Sequence, residues 1–356
     1  MKIEVIRKTN SHKILPKIIS DLKYKNLFIV TGRKSYETSS AKKIINKISS
    51  KVNITRFSNF NTNPRIRDAL RGAKIFHKNK CECIISIGGG SVIDMGKLVN
   101  AFQAYQNKEY ELVEGKVKIK KKLKYNIVLP TTAGTGSEAT HFAVCYINKK
   151  KYSLASKNLL PEFVIIDPLL MKSMTRYLAA SSAFDALSQS IESMWSVNST
   201  IQSRKFSRKA INLIMNNLYN SVNKKDLKAL TKMAEAAHYS GKAINITKTT
   251  APHALSYTIA AMLKISHGHS VAIIFGYFFE INEDPNLTKL YSSRKLINIM
   301  KNIYRLMSVK NAVNAKRKWF EMMNRCGLEH NQKKLNLNEE KKVEKIIDSV
   351  NLERLN

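Results

Sequence analysis

One short stretch constrains the fold of this chain more than any other: a strand of the buried type that runs directly into three glycines. Ile84–Ile87 is an apolar, β-branched run, as found in the interior strands of parallel sheets. Gly88–Gly90 then turns the chain, and the pattern predicts a helix that begins at Ser91 with Asp94 in its first turn. Such a turn serves either strand-to-helix geometry alone or the binding of a pyrophosphate by free N–H groups at the helix start.

The first 170 or so residues alternate between strand-type and helix-type segments. Helical spacing appears over Ala41–Ile48 and Ile66–His77, and Thr31–Ser35 follows an apolar strand as a turn. Strands are predicted at the apolar runs Met1–Val5, Leu27–Val30, Ile54–Phe57, Ile84–Ile87, Tyr125–Leu129, Val144–Ile147 and Val164–Ile166. Strands that alternate with helices predict a parallel sheet, with ligands at the carboxyl ends of its strands.

From about Thr175 onward the pattern becomes helical, with few strand signals. Helices are predicted over Tyr177–Val197, Ser203–Asn216, Leu227–Ile244, Ala251–Leu263, Leu290–Met307 and Asn314–Cys326, ahead of a charged, amphipathic tail over Lys333–Asn356. The sequence therefore predicts an α/β Rossmann-like domain over residues 1–172 and an all-helical domain over residues 173–356, with a cleft between them.

The chain is strongly basic, because 61 Lys and Arg against 26 Asp and Glu give a net charge of +35. A basic stripe is typical of nucleic-acid binding. Here the lysines spread along the whole chain, with local runs at residues 116–124 and 149–151, and no nucleic-acid motif accompanies them. We interpret the charge as solvated surface whose field favours an anionic substrate. A polyanion-binding or membrane-surface role is the alternative.

Other features of the sequence favour a cytoplasmic protein without nucleic-acid or membrane partners. No apolar run approaches the roughly 20 residues that a membrane helix needs, and the amino terminus lacks the apolar region of a signal peptide. The four cysteines, at positions 81, 83, 145 and 326, show neither metal nor disulfide spacing. Their arrangement favours a reducing compartment.

The loop Pro130–Glu138 follows a predicted strand and is rich in Thr, Gly and Ser. These small residues suit hydrogen bonds to ribose and phosphate oxygens, although such a loop is by itself most often an ordinary turn. Beside the glycine turn of a neighbouring strand, it favours a nucleotide-binding cleft.

The helical half holds candidate metal ligands. Asp185 and Gln189 lie four residues apart and therefore share one face of a helix, and His253 and His267 follow later in the chain. One carboxylate, one amide and two imidazoles form a mixed N/O set for a divalent transition metal. Isolated histidines are otherwise ordinary core or surface groups, and His269 is a substitute ligand or a supporting group in the same segment.

Taken together and in this order, these segments resemble the iron-containing alcohol dehydrogenase family over nearly the whole chain. The segments that carry the resemblance are Gly88–Asp94, Pro130–Glu138, Asp185–Gln189, His253 and His267–Gly268. The resemblance implies a dinucleotide-binding α/β domain followed by a helical metal domain, an architecture shared with dehydroquinate synthase. It also implies a homodimer and an NAD(P)-dependent interconversion of an alcohol with an aldehyde or ketone.

The resemblance assigns the metal ligands by motif. Asp185, His253 and His267 match the family's ligands for a divalent metal, Fe²⁺ or Zn²⁺. Gln189 stands where most members have a fourth ligand, a histidine, so either its oxygen binds weakly or water replaces it. Tyr257 stands where many members have a second histidine near the nicotinamide, so a proton relay at that position uses a phenol.

The resemblance also places the nucleotide. NAD-preferring members carry an acidic residue just after the second strand, where this chain has Gly32 followed by Arg33 and Lys34. With no carboxylate to repel a 2′-phosphate and two cations close by, NADP(H) is favoured over NAD(H). Lys151 matches a lysine that contacts the nicotinamide ribose. The predicted cofactor-binding residues are Gly32, Lys34, Ser35, Gly88, Gly89, Gly90, Ser91, Asp94, Thr131, Thr132, Thr135, Ser137 and Lys151.

Within the family, the chain is similar to phosphonoacetaldehyde reductases. The segments that carry this similarity are Thr140–Val144, Lys151–Ala155, Asp185–Thr200 and Gly241–Tyr257. The similarity implies reduction of phosphonoacetaldehyde to 2-hydroxyethylphosphonate. We expect His141, Lys248 and Thr249 to hold the phosphonate, and water or Tyr257 to supply the proton, although Lys248 is equally typical of ordinary surface charge.

Three other functions stay open at this point. The first is a reductase of another short aldehyde, of the lactaldehyde or butyraldehyde type. The second is a dehydroquinate-synthase-like lyase or cyclase, and the third is a non-catalytic polyanion-binding protein. The motifs Thr131–Thr135 and Asp185–Leu187 favour the dehydrogenases over the lyases. Net cofactor turnover separates these two enzyme classes, and salt-sensitive polyanion binding without catalysis would indicate the third function.

Overall fold

The structure, a computed structural model, describes residues 3–148, 150–284, 293–337 and 339–348. Within these residues the chain forms two compact units. The first unit contains the described residues up to 132 together with residues 137–173. The second contains residues 133–136 together with the described residues from 174 onward.

The first unit is built on a parallel sheet. Its strands are β1 (Glu4–Arg7), β2 (Asn26–Thr31), β3 (Asn53–Phe57), β4 (Cys83–Gly88), β5 (Tyr125–Pro130), β6 (Phe142–Ile147), β7 (Lys150–Ala155) and β8 (Phe163–Ile166). Six of them form one sheet in the order β1-β8-β5-β4-β2-β3, and every pairing in it is parallel. The strand that precedes the glycine turn, β4, therefore lies in the interior of the sheet.

Helices of the first unit follow its strands. They are α1 (Leu15–Leu22), α2 (Arg33–Thr38), α3 (Ala41–Ile48), α4 (Ile66–Lys78), α5 (Gly90–Ala104), α6 (Glu109–Val113) and α7 (Pro168–Met171). Two of the boundaries that differ from the prediction lie at candidate nucleotide-binding residues. The segment Thr31–Ser35 is not a simple turn, because α2 begins at Arg33, and α5 begins at Gly90, which leaves Asp94 just beyond the first turn.

The interior strands are apolar on both sides because the sheet carries a packed core on each face. On one face, Phe28 of β2 and Ile84 of β4 belong to a buried cluster that includes residues of α4 and α5. On the other face, Ile29 and Ile85 belong to a cluster that includes residues of α1 and α3. Successive residues of one strand thus enter different cores, which explains why β2 and β4 carry apolar residues on both sides, with Ser86 as the one polar residue in the middle of β4.

The prediction that Val144–Ile147 is a strand of the parallel sheet is wrong. This segment lies in β6, which pairs antiparallel with β7 in a separate two-stranded sheet, with Ile147 opposite Lys150. A partner strand that follows within a few residues forms a hairpin without the long crossover that parallel pairing needs. The partner was not predicted, because Lys150–Ala155 begins with two lysines and lacks a long apolar run.

The second unit is helical throughout its described residues. Its helices are α8 (Arg176–Trp195), α9 (Ile201–Asn223), α10 (Leu227–Thr247), α11 (Ala251–Leu263), α12 (His267–Phe275), α13 (Phe278–Ile281), α14 (Ser293–Met307), α15 (Ala312–Cys326) and α16 (Glu340–Asp348). The predicted helix Leu290–Met307 corresponds to α14, and residues 290–292 lie outside the described residues, as do residues 338 and 349–356 of the predicted tail. Across the described part of the chain, no helix combines the length and apolarity required to span a membrane.

The two predicted fold classes are confirmed: an α/β unit with a six-stranded parallel sheet and a helical unit. Within the helical unit, α8 is the central element. Residues 179–181 and 183–195 of this helix are all buried, so it is covered on every side by its neighbours. A polar side chain on α8 must therefore find its partners inside the protein.

Candidate metal centre and nucleotide-binding turn

Three side chains of the helical unit converge on one point. Asp185 lies on α8, His253 on α11 and His267 at the first position of α12, and one ligand atom from each lies within 4.8 Å of the others. Asp185 Oδ1 is 3.3 Å from His253 Nε2 and 3.8 Å from His267 Nε2. A carboxylate oxygen and two imidazole nitrogens with a shared focus suit Zn²⁺ or Fe²⁺, which accept mixed N/O ligand sets.

The close approach of α12 to α8 depends on a glycine. A Cβ atom at Gly268 would overlap the carbonyl oxygen of Ser181 on α8 and would lie 2.8 Å from Asp185 Cβ. Because glycine has no side chain, the start of α12 can rest against α8, which brings His267 to Asp185. The sequence Ser-His-Gly-His thus combines a ligand with the residue that lets the ligand reach its site.

A buried glutamate that the sequence analysis missed completes this cluster. The Glu192 side chain is fully buried, and its Oε2 forms an ion pair with His253 Nδ1. Burial by itself lowers the pKa of His253, but Glu192 and Asp185 outweigh this effect and raise the pKa to about 9. A usable signal was present, because Asp185 and Glu192 are the two acidic residues of α8 and their seven-residue spacing places both on one face.

At the glycine turn of the first unit, neighbouring side chains pack directly against the backbone. Strand β4 ends at Gly88 and α5 begins at Gly90, so Gly89 is the residue that caps the helix. A Cβ at Gly88 would lie 2.5 Å from Val92 Cβ, and one at Gly89 would lie 3.2 Å from Thr132. The turn is therefore closely packed, and α5 presents its free N–H groups beside it.

The threonine-rich loop lies next to this turn. Gly88 pairs with Pro130 across β4 and β5, and the Thr131 N–H donates a 3.0 Å hydrogen bond to the Gly88 carbonyl. The predicted nucleotide residues Thr131 and Thr132 thus stand beside Gly88 and Gly89, at the carboxyl ends of adjacent strands. This is the edge at which parallel sheets bind their ligands.

Comparison with known proteins identifies the family. Residues 3–168 match the family described as iron-containing alcohol dehydrogenase, and residues 179–355 match the C-terminal domain of the same family. The chain belongs to the iron-containing alcohol dehydrogenase family.

Several known proteins are similar to this chain over part or nearly all of its length. Aldehyde-alcohol dehydrogenase 2 of Entamoeba histolytica is 29% identical over 72% of this chain. The matched region covers only 31% of the length of that relative. Phosphonoacetaldehyde reductase of Streptomyces viridochromogenes is 33% identical over 44% of the chain and 40% of the relative. The crystal structure of sulfoacetaldehyde reductase from Bifidobacterium kashiwanohense, in complex with NAD⁺, is 26% identical, with a TM-score of 0.87 over 99% of this chain and 92% of that one.

In this member of the iron-containing family, the residue that was predicted as a fourth ligand has a partner in the protein. The Gln189 Oε1 atom is buried and accepts a 2.9 Å hydrogen bond from Ser240 Oγ on α10. His269 is also engaged, since its Nε2 lies 2.8 Å from the Glu329 carbonyl and its Nδ1 lies 3.2 Å from Tyr177 Oη. Tyr257, by contrast, adjoins the cluster, because its ring stacks on His267 with centroids 5.1 Å apart.

Two of the predicted nucleotide residues bind each other. The half-buried Asp94 carboxylate accepts hydrogen bonds from Ser137 Oγ at 2.5 Å and from the Val144 N–H at 3.1 Å. Burial raises the pKa of Asp94, against the opposing influence of Lys97 and these two donors. In the structure, this carboxylate ties the loop after β5 to the start of β6.

The remaining predicted residues lie at separate places. Gly32 caps α2 and Ser35 lies in that helix, whereas the Lys34 side chain is outside the described part of the structure. Ser91 and Lys151 lie in α5 and β7, and Thr135 belongs to the second unit. The three candidates for phosphonate binding are His141, which is half-buried just before β6, Lys248, which is exposed at the end of α10, and Thr249, which is half-buried directly after it. Their roles stay predictions.

Proposed function

We propose that the chain is an NADPH-dependent, metal-assisted aldehyde reductase that acts on a short anionic aldehyde. The observation that carries the proposal is the convergence of Asp185, His253 and His267 within 4.8 Å in a member of the iron-containing alcohol dehydrogenase family. The adjacent glycine and threonine loops at the sheet edge support the binding of a dinucleotide.

These residues fit a divalent metal. The donor set of one carboxylate and two imidazoles leaves coordination positions for substrate or water. A metal held by Asp185, His253 and His267 would supply the Lewis acid that polarises the aldehyde carbonyl. The stacking of the Tyr257 ring on His267 supports our proposal that its phenol gives a proton to the alkoxide oxygen, and water is the alternative donor.

The preference for NADP(H) is supported by the residues that follow β2. Gly32 offers no carboxylate to a 2′-phosphate, and Arg56 of the neighbouring strand β3 donates a 3.0 Å hydrogen bond to Thr31 Oγ1. We expect Gly32→Asp to reverse the preference and to raise the kcat/KM ratio of NADH to NADPH by at least about 10-fold. Gly32 has φ −71° and ψ 155°, which aspartate adopts readily, and the one close atom is the rotatable Ser35 Oγ.

The choice of substrate is supported by charge and by two relatives. The relatives named phosphonoacetaldehyde reductase and sulfoacetaldehyde reductase both act, by name, on an acetaldehyde that carries a tetrahedral oxyanion. Lys248, Thr249 and His141 are the candidates to hold such a group in this chain, which carries a net charge of +35. Phosphonoacetaldehyde is our first candidate, sulfoacetaldehyde the second, and an uncharged short aldehyde the alternative.

A steady-state assay tests the proposal. NADPH and NADH oxidation would be compared with phosphonoacetaldehyde, sulfoacetaldehyde, lactaldehyde and butyraldehyde after loading with Fe²⁺ or Zn²⁺. We expect the highest kcat/KM for phosphonoacetaldehyde with NADPH. No aldehyde-dependent oxidation with any metal would overturn the proposal, and product formation without net cofactor turnover would indicate the lyase class.

Two coarser features complete the proposal. The four cysteines are all unpaired and buried, which supports a reducing, cytoplasmic setting. A homodimer is part of the proposal through family membership alone, and light scattering of the purified chain would test it.

A further inference from the structure

Glu192 connects the start of α11 to the metal cluster. Its Oε1 accepts hydrogen bonds from the Thr250 N–H and Thr250 Oγ1, both at 3.0 Å, and from the His253 N–H at 3.3 Å. Thr250 caps α11 and His253 is the third residue of that helix, and the cap makes no side-chain hydrogen bond to the helix itself. A carboxylate from α8 thus occupies the place that a capping side chain usually fills.

The second oxygen of Glu192 has a different partner. Oε2 forms an ion pair with His253 Nδ1, and neither atom has a hydrogen-bond partner among the described residues. The opposite nitrogen, Nε2, is directed at Asp185 Oδ1 at 3.3 Å. The same glutamate therefore holds His253 by its backbone and by its ring.

This arrangement decides which ring nitrogen is available. A carboxylate can only accept, so in the metal-free protein Nδ1 carries a hydrogen toward Glu192 and Nε2 carries one toward Asp185. Because Asp185 is itself a candidate ligand, the hydrogen on Nε2 is the one that a metal would displace, while Glu192 keeps the one on Nδ1. A ligand histidine is commonly oriented in this way by a carboxylate behind it. We propose that Glu192 is a positioning residue that fixes the His253 ring for metal binding at Nε2, an inference that rests on the proposed metal-assisted function.

The variant Glu192→Gln separates positioning from structural support. Three donors surround the Oε1 position, so the amide oxygen must sit there and the cap of α11 is kept. The amide NH₂ then faces His253 Nδ1 and donates to it, which forces the ring hydrogen onto Nε2. A purely structural role predicts no such change.

The first readout is ¹⁵N NMR of the histidine rings in metal-free protein, with the His253 signals identified by their loss in His253→Gln. We expect Nδ1 to be protonated in the wild type and unprotonated in Glu192→Gln. The second readout is the affinity for Zn²⁺ alone, measured by competition with a chromophoric chelator, which we expect to fall about 10- to 100-fold. Glu162→Gln makes the same change at a glutamate that accepts from the Asn126 N–H in the first unit, and should move neither readout.

Each outcome either supports or overturns the proposed role of Glu192. Affinity within about twofold of the wild type, or an Nδ1 that stays protonated in the variant, would overturn the inference. If Glu192→Gln does not fold, the wild type alone decides, since zinc-loaded protein must keep the Nδ1 hydrogen and lose the one on Nε2. If the wild type binds no metal, the proposed function fails in its metal step, while the NMR comparison still judges the role of Glu192.

Discussion

Asp185 is the residue on which both imidazoles converge, so its charge should dominate metal binding. We expect Asp185→Asn to lower the affinity for Zn²⁺ by more than the roughly 100-fold upper range seen for supporting residues, because a neutral amide replaces an anionic ligand. The measurement is chelator competition on the purified protein. Asp226→Asn is the matched control, because Asp226 caps α10 through the Ala229 N–H and asparagine caps equally well. Equal losses in both variants would exclude Asp185 as a ligand.

Lys97 offers a test of electrostatics in the first unit. Its Nζ is buried and donates to the carbonyls of Ser137, Thr140 and Phe142 at 2.7 to 3.0 Å. Burial lowers the pKa of Lys97 to about 8, against the attraction of Asp94 and Glu138. Burial therefore disfavours the charged form of this amine, although the amine supplies hydrogen bonds to three buried backbone carbonyls.

The pH dependence follows from that lowered pKa. Below pH 8 the lysine is protonated in both states, whereas between pH 8 and 10.5 the unfolded chain binds more protons, so the free energy of unfolding rises with pH. We expect Lys97→Met to be less stable by about 1–3 kcal/mol because it leaves buried carbonyls unpaired. The gap to the wild type should widen from pH 8 to 10 in guanidinium unfolding. Lys74→Met, an exposed change on α4, controls for the substitution, and a constant gap would contradict the prediction.

At the scale of single residues, the sequence predicted those residues that belong to a recognisable motif. Asp185, His253 and His267 were predicted as a group, and the structure brings them together. Glu192 was missed because a lone glutamate in a helix carries no motif, and its partner at Thr250 is 58 residues away. Its spacing from Asp185 places it on the same face of α8, but its contact with the start of α11 is not visible in local spacing.

Among the elements, the packing of the loop at residues 133–136 on α10 depends on two glycines that touch. Gly136 has φ +60°, and a Cβ at Gly241 would overlap the Gly136 carbonyl oxygen and lie 2.8 Å from its Cα. We expect Gly241→Ala to destabilise the protein by about 1–3 kcal/mol, because the backbone of the loop has to move. Denaturant unfolding followed by circular dichroism measures this. Lys232→Ala, exposed on the same helix, should stay within about 0.5 kcal/mol, and equal stability of the two variants would mean that the loop yields freely.

The elements themselves were predictable where their pattern reflects burial. Ile84–Ile87 has apolar residues on both sides because two cores cover the sheet, so its place in a parallel sheet followed from composition. The β6–β7 hairpin did not follow, since only Leu154 of Lys150–Ala155 is buried and the segment lacks the apolar run that indicates a strand. Strand pairing between half-exposed segments depends on context more than on the segment itself.

For the whole molecule, the net charge of +35 is the property that no single motif explains. Its physical consequence is a positive potential that extends about 30 Å at 10 mM salt but only about 8 Å at 150 mM. If the substrate is a dianion, that potential raises its encounter rate with the protein. A neutral aldehyde gains nothing from the same field, which makes the two substrates a matched pair.

We therefore expect kcat/KM for phosphonoacetaldehyde to fall by about 10-fold between 10 and 150 mM salt, at saturating NADPH. The value for butyraldehyde should change by less than about twofold, because a neutral substrate is not steered. Steady-state rates at fixed pH and several salt concentrations measure both. A parallel fall for the two aldehydes would show that salt acts on the protein or the cofactor instead of on substrate encounter. Salt-sensitive retention on a polyanion without any turnover would favour the polyanion-binding function over the reductase.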